Sequence, residues 1–274
     1  MRRTAVLVCG VIAALALAAC GAKTESGTPV AAGGSAGSAR GAATFGTVAD
    51  LASAVATSSR SKQSAHFSTE VTTAQGTMKG TGVYRQDASG VSAQYTMSTP
   101  QGEMQMIVVP NAVYLKMARL APVTGGKPWI KVTPDGTDPM SRALGGLLTA
   151  MQEQADVTKA IDRIKAAGTI TNTTRETVDG VSTTHYTIKV DMAKLAEVEP
   201  DPNLKQMYQA AIQQGLRTSD DDVWLNGDNL PVKFETSSAV NGQQVHGTAS
   251  YTQWGEPVQI TVPPADQVGQ FPTR

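Results

Sequence analysis

The chain opens with an uncharged apolar run from Ala5 to Leu17 behind Arg2 and Arg3, and its hydrophobic period then changes repeatedly. Residues 21–44 are mostly Gly, Ala, Ser and Thr and have no apolar period. From Thr47 to Ser59, the apolar residues Val48, Leu51, Ala52, Val55 and Ala56 fall at helical spacing, which predicts an amphipathic helix. The period then drops to two. Phe67, Thr69 and Val71 alternate with His66, Ser68 and Glu70, and Met78 and Tyr84 alternate with Lys79 and Arg85. Val91, Ala93, Tyr95 and Met97 alternate with Ser92, Gln94, Thr96 and Ser98. Met104, Met106 and Val108 continue the pattern, and past Pro110-Asn111 so do Val113, Leu115 and Met117. Such alternation marks antiparallel strands with one apolar and one wet face. Short connections at 87–90, 100–102 and 110–111 predict an up-and-down meander.

Helical spacing returns after a short strand, Trp129 to Val132. Asp138-Pro139 is a helix start signal, and Met140, Leu144, Leu147, Leu148 and Met151 line one face beyond it. A second helix is expected from about Asp156 to Ala167, with Val157, Ile161 and Ile164 inward and Gly168 as its C-cap. The sheet resumes at 169–177, turns at Asp179-Gly180 and returns through Thr184, Tyr186, Ile188 and Val190. Asp201-Pro202 starts another helix, striped by Leu204, Met207, Tyr208, Ala211 and Ile212. Strands are then expected around 223–225, 232–236 (which holds Phe234), 245–251 and 258–262, with hairpin turns at Asn226-Gly227 and Asn241-Gly242. Pro263-Pro264 stops the sheet and leaves a loose tail. The predicted fold is α+β, a long antiparallel sheet with helices before it and in two insertions. A sheet of about ten strands accumulates twist and curls, so helices on the concave side would cover its apolar face.

The first apolar run is a secretory signal: a basic n-region, a hydrophobic h-region and small residues before a cleavage point. Leu17-Ala18-Ala19-Cys20 looks like a bacterial lipobox, in which the Cys20 thiol accepts a diacylglyceryl group with palmitate-type chains. Two alternatives stand beside it. Ala16-Leu17-Ala18 suits the general signal peptidase, and the apolar stretch to Ala22 approaches the ~20 residues of a spanning helix. The expected organisation is a signal peptide over 1–19, a tether over 20–44 and a single domain over 45–274. A random coil of the tether's length spans roughly 25–30 Å, which would hold the domain near the outer face of the membrane.

Composition narrows the function further. Loss of residues 1–19 removes two arginines, leaving 21 basic against 23 acidic groups and a net charge of −2. That balance argues against nucleic acid, which needs a basic footprint. Of the two cysteines, Cys9 leaves with the signal and Cys20 is lipidated, so the domain has no disulfide and relies on its core.

Candidate chemistry is sparse. Gly33-Gly34-Ser35-Ala36-Gly37 matches a nucleophile elbow, but that motif works only between a strand and a helix, and here it lies in the tether. Gly125-Gly126-Lys127 lacks the remaining residues of a P-loop. His66, His185 and His246 stand singly and are read as surface or edge histidines, without metal-ligand spacing. Asp220-Asp221-Asp222 lacks the offsets of a calcium loop and is read as a solvated turn. No triad and no cofactor fingerprint is present, so no catalytic residue, metal or cofactor is expected. What stands out is methionine placed inward by strand phase and helix stripe, with only 5% aromatic residues. Methionine serves both as a gap filler and as the lining of adaptable binding surfaces. Such a face could line a cavity for acyl chains, or helices could pack directly on it and leave nothing open.

Several segments together resemble a known family. They are the lipobox with its low-complexity tether, Ala65-His66-Phe67-Ser68, the pair Asp222-Val223-Trp224-Leu225 and Leu230-Pro231-Val232-Lys233, and Trp254-Gly255-Glu256-Pro257 followed by Pro263-Pro264. They resemble the actinobacterial envelope lipoproteins of the LppX/LprA/LprF/LprG group, related in fold to the LolA and LolB carriers. The resemblance implies a half-barrel whose helices enclose a hydrophobic cavity, and a non-enzymatic carrier of acylated lipids or glycolipids bound for the outer envelope. A monomer is expected, with a membrane transporter as a candidate partner. Strand phase and helix stripe name the lining. The sheet supplies Met78, Tyr95, Met97, Met104, Met106, Val108, Leu115, Met117, Ile188 and Phe234. The helices supply Leu144, Leu147, Leu148, Met151, Ile161, Ile164, Leu204 and Met207. The alternative is a surface lipoprotein with a filled core that binds a protein or wall polymer through its edges and loops; a hydrolase with an unrecognised site ranks third.

Overall fold

A computed structural model describes residues 44–99, 102–118, 122, 124–136, 141, 165–200, 202–240 and 242–269. The signal, Cys20, the tether up to residue 43 and the positions Leu144, Leu147, Leu148, Met151, Ile161 and Ile164 lie outside them, as do the side chains of Leu204 and Met207.

The described chain begins with helix α1, Val48–Lys62. Thr47 caps it reciprocally: its hydroxyl oxygen accepts from the Asp50 backbone N–H at 3.1 Å and its hydroxyl donates to the Asp50 carboxylate at 2.7 Å. Gln63 ends the helix in the left-handed region at φ 64°, with its N–H bonded to the Ser59 carbonyl. Arg60 and Lys62 in the last turn complement the helix dipole, which carries the helix past the expected end at Ser59.

Six strands follow as a meander: β1 Ser64–Thr73, β2 Gly76–Asp87, β3 Gly90–Thr99, β4 Gly102–Val109, β5 Ala112–Met117 and β6 Trp129–Val132. The second half comprises β7 Gly168–Val178, β8 Val181–Asp191, helices α2 Met192–Val198 and α3 Pro202–Gln213, then β9 Thr218–Leu225, β10 Pro231–Val240 and β11 Gln243–Thr252. A two-residue strand, β12 Val268–Gly269, is the last described element. All twelve strands form one open sheet in the order β12-β6-β5-β4-β3-β2-β1-β11-β10-β9-β8-β7. Neighbours are antiparallel except β12 and β6. The expected α+β class and the expected meander are therefore what the chain forms.

Three expectations are corrected. Residues 258–262 form no strand, because Pro257, Pro263 and Pro264 bracket the segment and cannot donate to a ladder. The sheet edge is closed instead by Val268 and Gly269 pairing with Trp129 and Ile130, so the tail is tied down there. Gly269 suits that edge, since a Cβ would meet the Thr124 carbonyl at 2.5 Å. Asp220, Asp221 and Asp222 are not a turn but part of β9. Helix α2 was not expected. Asp191 nucleates it by accepting from the N–H groups of Ala193 and Lys194 at 2.9 and 3.1 Å, and its Met192 and Ala196 pack against Tyr208 and Leu216.

Candidate functional site

Register sorts the sheet into an apolar face and a polar one. Met104 lies opposite Met97 and Met117, and Met106 lies opposite Tyr95 and Leu115. Val108 faces Val113, and Met78 faces Val71. Because partners across a ladder point to the same side, these residues share one face. Phe67 sits opposite both Gly82 and Tyr251, and Phe234 opposite Ala249 and Val223; Val223 is in turn opposite Tyr186. Ile188 completes that face on β8. All ten sheet residues named from strand phase thus fall on the same side.

This face is not uniform. Over β8 and β9 it is sealed: Val48 and Leu51 of α1 pack on Tyr186, Ile188 and Leu225, all under 5% exposed, with Phe45, Val55 and Ile170 at the margin. Over β2–β5 it is half-buried. Met78, Met97, Met104, Met106 and Met117 all keep partial exposure, as do Tyr95, Val108 and Leu115. At the outer edge of this field and on the same face, Val113, Ile130 and Val132 are buried and pack against Met106, Val108 and Leu115.

Between the two regions stands an aromatic group. Phe67 and Tyr95 stack at 5.6 Å, and Tyr95 shares a hydrogen bond with Thr69. The rings lie flat on Gly82 and Gly80, where a Cβ would run into Phe67 and Tyr95 respectively. Tyr251 stacks on Trp254 at 5.8 Å, Tyr84 meets the Trp254 edge, and the Trp254 indole N–H donates to the Pro231 carbonyl at 3.0 Å. Burial pushes the Tyr251 phenol well above its ordinary range.

One acid interrupts the apolar face. Asp221, opposite Ile188 and Thr236, is 3% exposed and accepts from the Thr236 hydroxyl at 2.6 Å. Burial pushes its carboxyl up to about 6. No Lys or Arg among the described residues forms an ion pair with it.

On the polar face, His185 lies on the wet side as expected and is partly exposed, but its ring is held between Glu176 at 2.9 Å from Nδ1 and Asp222 at 2.7 Å from Nε2. It stacks on Trp224 at 4.2 Å, whose indole N–H donates to Glu176, while Thr187 donates to Asp222 at 2.9 Å. Lys233 covers the other side of the Trp224 ring at 4.9 Å. This arrangement ties β7, β8, β9 and β10 together. Strand phase places each member on the polar side, but only the register brings them into contact. His246 is exposed and His66 half-buried. Among the described residues no cluster of His, Cys, Asp and Glu is arranged to hold a metal ion, and no helix is long and apolar enough to cross a membrane.

No protein-family model matches the chain. An uncharacterized 31.2 kDa protein from the rplA-rplJ intergenic region of Streptomyces griseus is 24% identical over 176 residues, which is 62% of this chain and 57% of that protein. The chain therefore spans little more than half the length of the curated relative it matches. Among solved structures, the Mycobacterium tuberculosis lipoprotein LppX is similar with a TM-score of 0.46 at 12% identity, covering 78% of this chain and 97% of LppX. LprF from Mycobacterium bovis is similar with a TM-score of 0.43 at 16% identity, covering 80% of this chain and 99% of LprF. The Pseudomonas aeruginosa MucA/MucB complex follows with a TM-score of 0.40 at 10% identity, covering 82% of this chain and 63% of the matched one. LppX and LprF are two of the lipoproteins that the sequence itself resembles.

Proposed function

We propose that the chain is a lipoprotein, anchored through Cys20 to the outer face of the cell membrane, that takes up the acyl chains of an envelope lipid or glycolipid. The chains lie against the apolar sheet face and are shielded there during transfer across the envelope. The observation that carries this reading is the half-buried methionine field of β2–β5, formed in register from residues whose side chains adapt to irregular apolar partners. The lipobox and the resemblance to the LppX/LprG group support the same reading. Binding is hydrophobic burial at ~0.8 kcal/mol per methylene, so two or three chains supply ample affinity without a specific polar partner. Leu144, Leu147, Leu148, Met151, Ile161, Ile164, Leu204 and Met207 complete the lining from the helices, which open to admit and release the lipid. No catalytic residue or cofactor takes part. The protein works as a monomer and delivers to or receives from a membrane transporter.

The test is native mass spectrometry of the domain, residues 45–274, purified from a related host without detergent, followed by lipid extraction. A stoichiometric acylated adduct that falls in Met106→Trp, with the thermal midpoint kept, supports the reading. A well-folded apo protein that takes up no labelled lipid sinks it. That outcome favours a filled-core interaction module, a reading supported by the sealed packing of Val48 and Leu51 on Tyr186, Ile188 and Leu225.

A further inference from the structure

The polar face carries a hollow of about 630 Å³ across β10, β11, β1, β2 and β3. Its floor is made of small side chains. Ser68 faces Thr81 on β2 and Ser250 on β11, and Thr81 faces Thr96 on β3, so a row of hydroxyls crosses four strands, with Ser98 beside it. Longer side chains form the walls and are neutralised among themselves. Lys79 pairs with Glu70 at 2.9 Å, and Lys233 pairs with Glu235 at 2.6 Å. His246 is engaged by Ser237 and Thr248. The hydroxyls of Ser68, Thr81, Thr96, Ser98 and Ser250 make no side-chain hydrogen bond to another described residue. Each can donate one and accept two.

The charge arrangement selects the ligand. Both lysines already hold a carboxylate, so an incoming polyanion gains no free cation and meets Glu70 and Glu235; a polycation meets the two lysines. The floor offers nothing to an acyl chain. An ordered set of free donors and acceptors between neutralised walls matches a polyhydroxylated, uncharged chain. The volume lies within the range that holds a small ligand of a few rings. We propose that this groove binds a segment of neutral glycan. It opens on the side of the sheet opposite the methionine field, so its ligand is separate from any lipid held there, and the inference stands whether or not lipid binds. Trp224 is 7% exposed and lies under Lys233, so it gives no stacking platform. Affinity rests on hydrogen bonds exchanged with water and is weak, on the order of millimolar.

The test is affinity electrophoresis of the full chain in a polyoxyethylene detergent, which carries no sugar. Gels contain dextran, galactomannan or arabinoxylan, with polygalacturonate as the charged contrast. At least one neutral polymer is expected to retard the protein. Ser68→Tyr fills the floor and raises the half-retarding concentration about fivefold or more. Ser98→Tyr, at an exposed position, does the same if Ser68→Tyr lowers the thermal midpoint. Lys131→Tyr, on the same face at β6 but outside the groove, leaves retardation unchanged. Absence of retardation by all three neutral polymers overturns the proposal. So does retardation by polygalacturonate alone, or retardation that both groove variants leave intact.

Discussion

Two regions of one sheet face are written in the same alternating code and end in different states. Over β8 and β9, Tyr186, Ile188 and Leu225 are sealed under Val48 and Leu51 of α1. Over β2–β5, five methionines with Tyr95, Val108 and Leu115 stay half-buried. Alternation decides which side of a strand a residue occupies, not what covers that side. Residue type follows the difference in part: the sealed region uses Ile, Leu, Val and Tyr, which have few rotamers and lock together, whereas the half-buried one adds flexible Met to residues of those types. The lesson is that a packed core and an adaptable surface can share one sheet when an aromatic group, here Phe67, Tyr95, Tyr251 and Trp254, separates them.

The comparison breaks most visibly at the sealed end. Leu51→Ala removes a side chain that is 4% exposed and leaves a cavity against Tyr186 and Leu225, so a loss of about 3 kcal/mol is expected in urea unfolding. A loss below about 1 kcal/mol would mean that α1 rests loosely and that the two regions are alike.

Asp221 sharpens the comparison, because it is an acid buried on the apolar face with no ion-pair partner among the described residues. Its folded-state carboxyl is raised from 3.8 to about 6 by burial. Between those values the folded protein keeps a proton that the unfolded chain has released. The contribution of Asp221 to stability is therefore fully present below about pH 4, is lost as pH rises through the window from about 4 to 6, and changes no further above it. At 1.36 kcal/mol per unit, the fall is at most about 3 kcal/mol. Asp221→Asn keeps an acceptor for Thr236 without the charge. It should raise the thermal midpoint at pH 7.5, with the gain vanishing near pH 4; a gain that does not change with pH would assign the effect to something other than ionisation.

At the boundary, Gly82→Ala places a methyl group 2.5 Å from the Phe67 ring and 2.6 Å from the Gln94 carbonyl oxygen. The backbone oxygen cannot turn aside as a side chain can, so a cost of about 1–2 kcal/mol is expected. Near-ultraviolet circular dichroism should change with it, since Phe67 must leave its stack with Tyr95. An unaltered spectrum and midpoint would show that the ring has room to move.

Much of this was legible in the residues and some was not. The period of two put Met78, Tyr95, Met97, Met104, Met106, Val108, Leu115, Met117, Ile188 and Phe234 on one face, and register agrees for every one. The meander was legible because its turns are short and rich in Gly, Pro, Asn and Asp. Helix α2 was not, because seven residues span two turns and give too few repeats for a helical period to emerge from the strand before it. The aspartate run misled because three acids in a row look solvated; alternation instead sends Asp220 and Asp222 to the wet side and Asp221 inward. The pairing of β12 with β6 and the clasp on His185 join residues far apart in the chain, and neither local propensity nor period carries that information.

The smallest expected effect tests the open region most directly. Met106 lies between Tyr95 and Leu115 and is already partly exposed, so shortening it to alanine forfeits less buried area than at Leu51, and its neighbours can relax toward solvent. Met106→Ala should therefore cost no more than about 1 kcal/mol in urea unfolding, against about 3 kcal/mol for Leu51→Ala. If the methionine field is an adaptable surface, the variant also keeps an unchanged urea dependence, because the area exposed on unfolding is nearly the same. A loss comparable to that of Leu51→Ala would make Met106 part of a close-packed core, and an apolar ligand would then have to displace packing that already stabilises the fold.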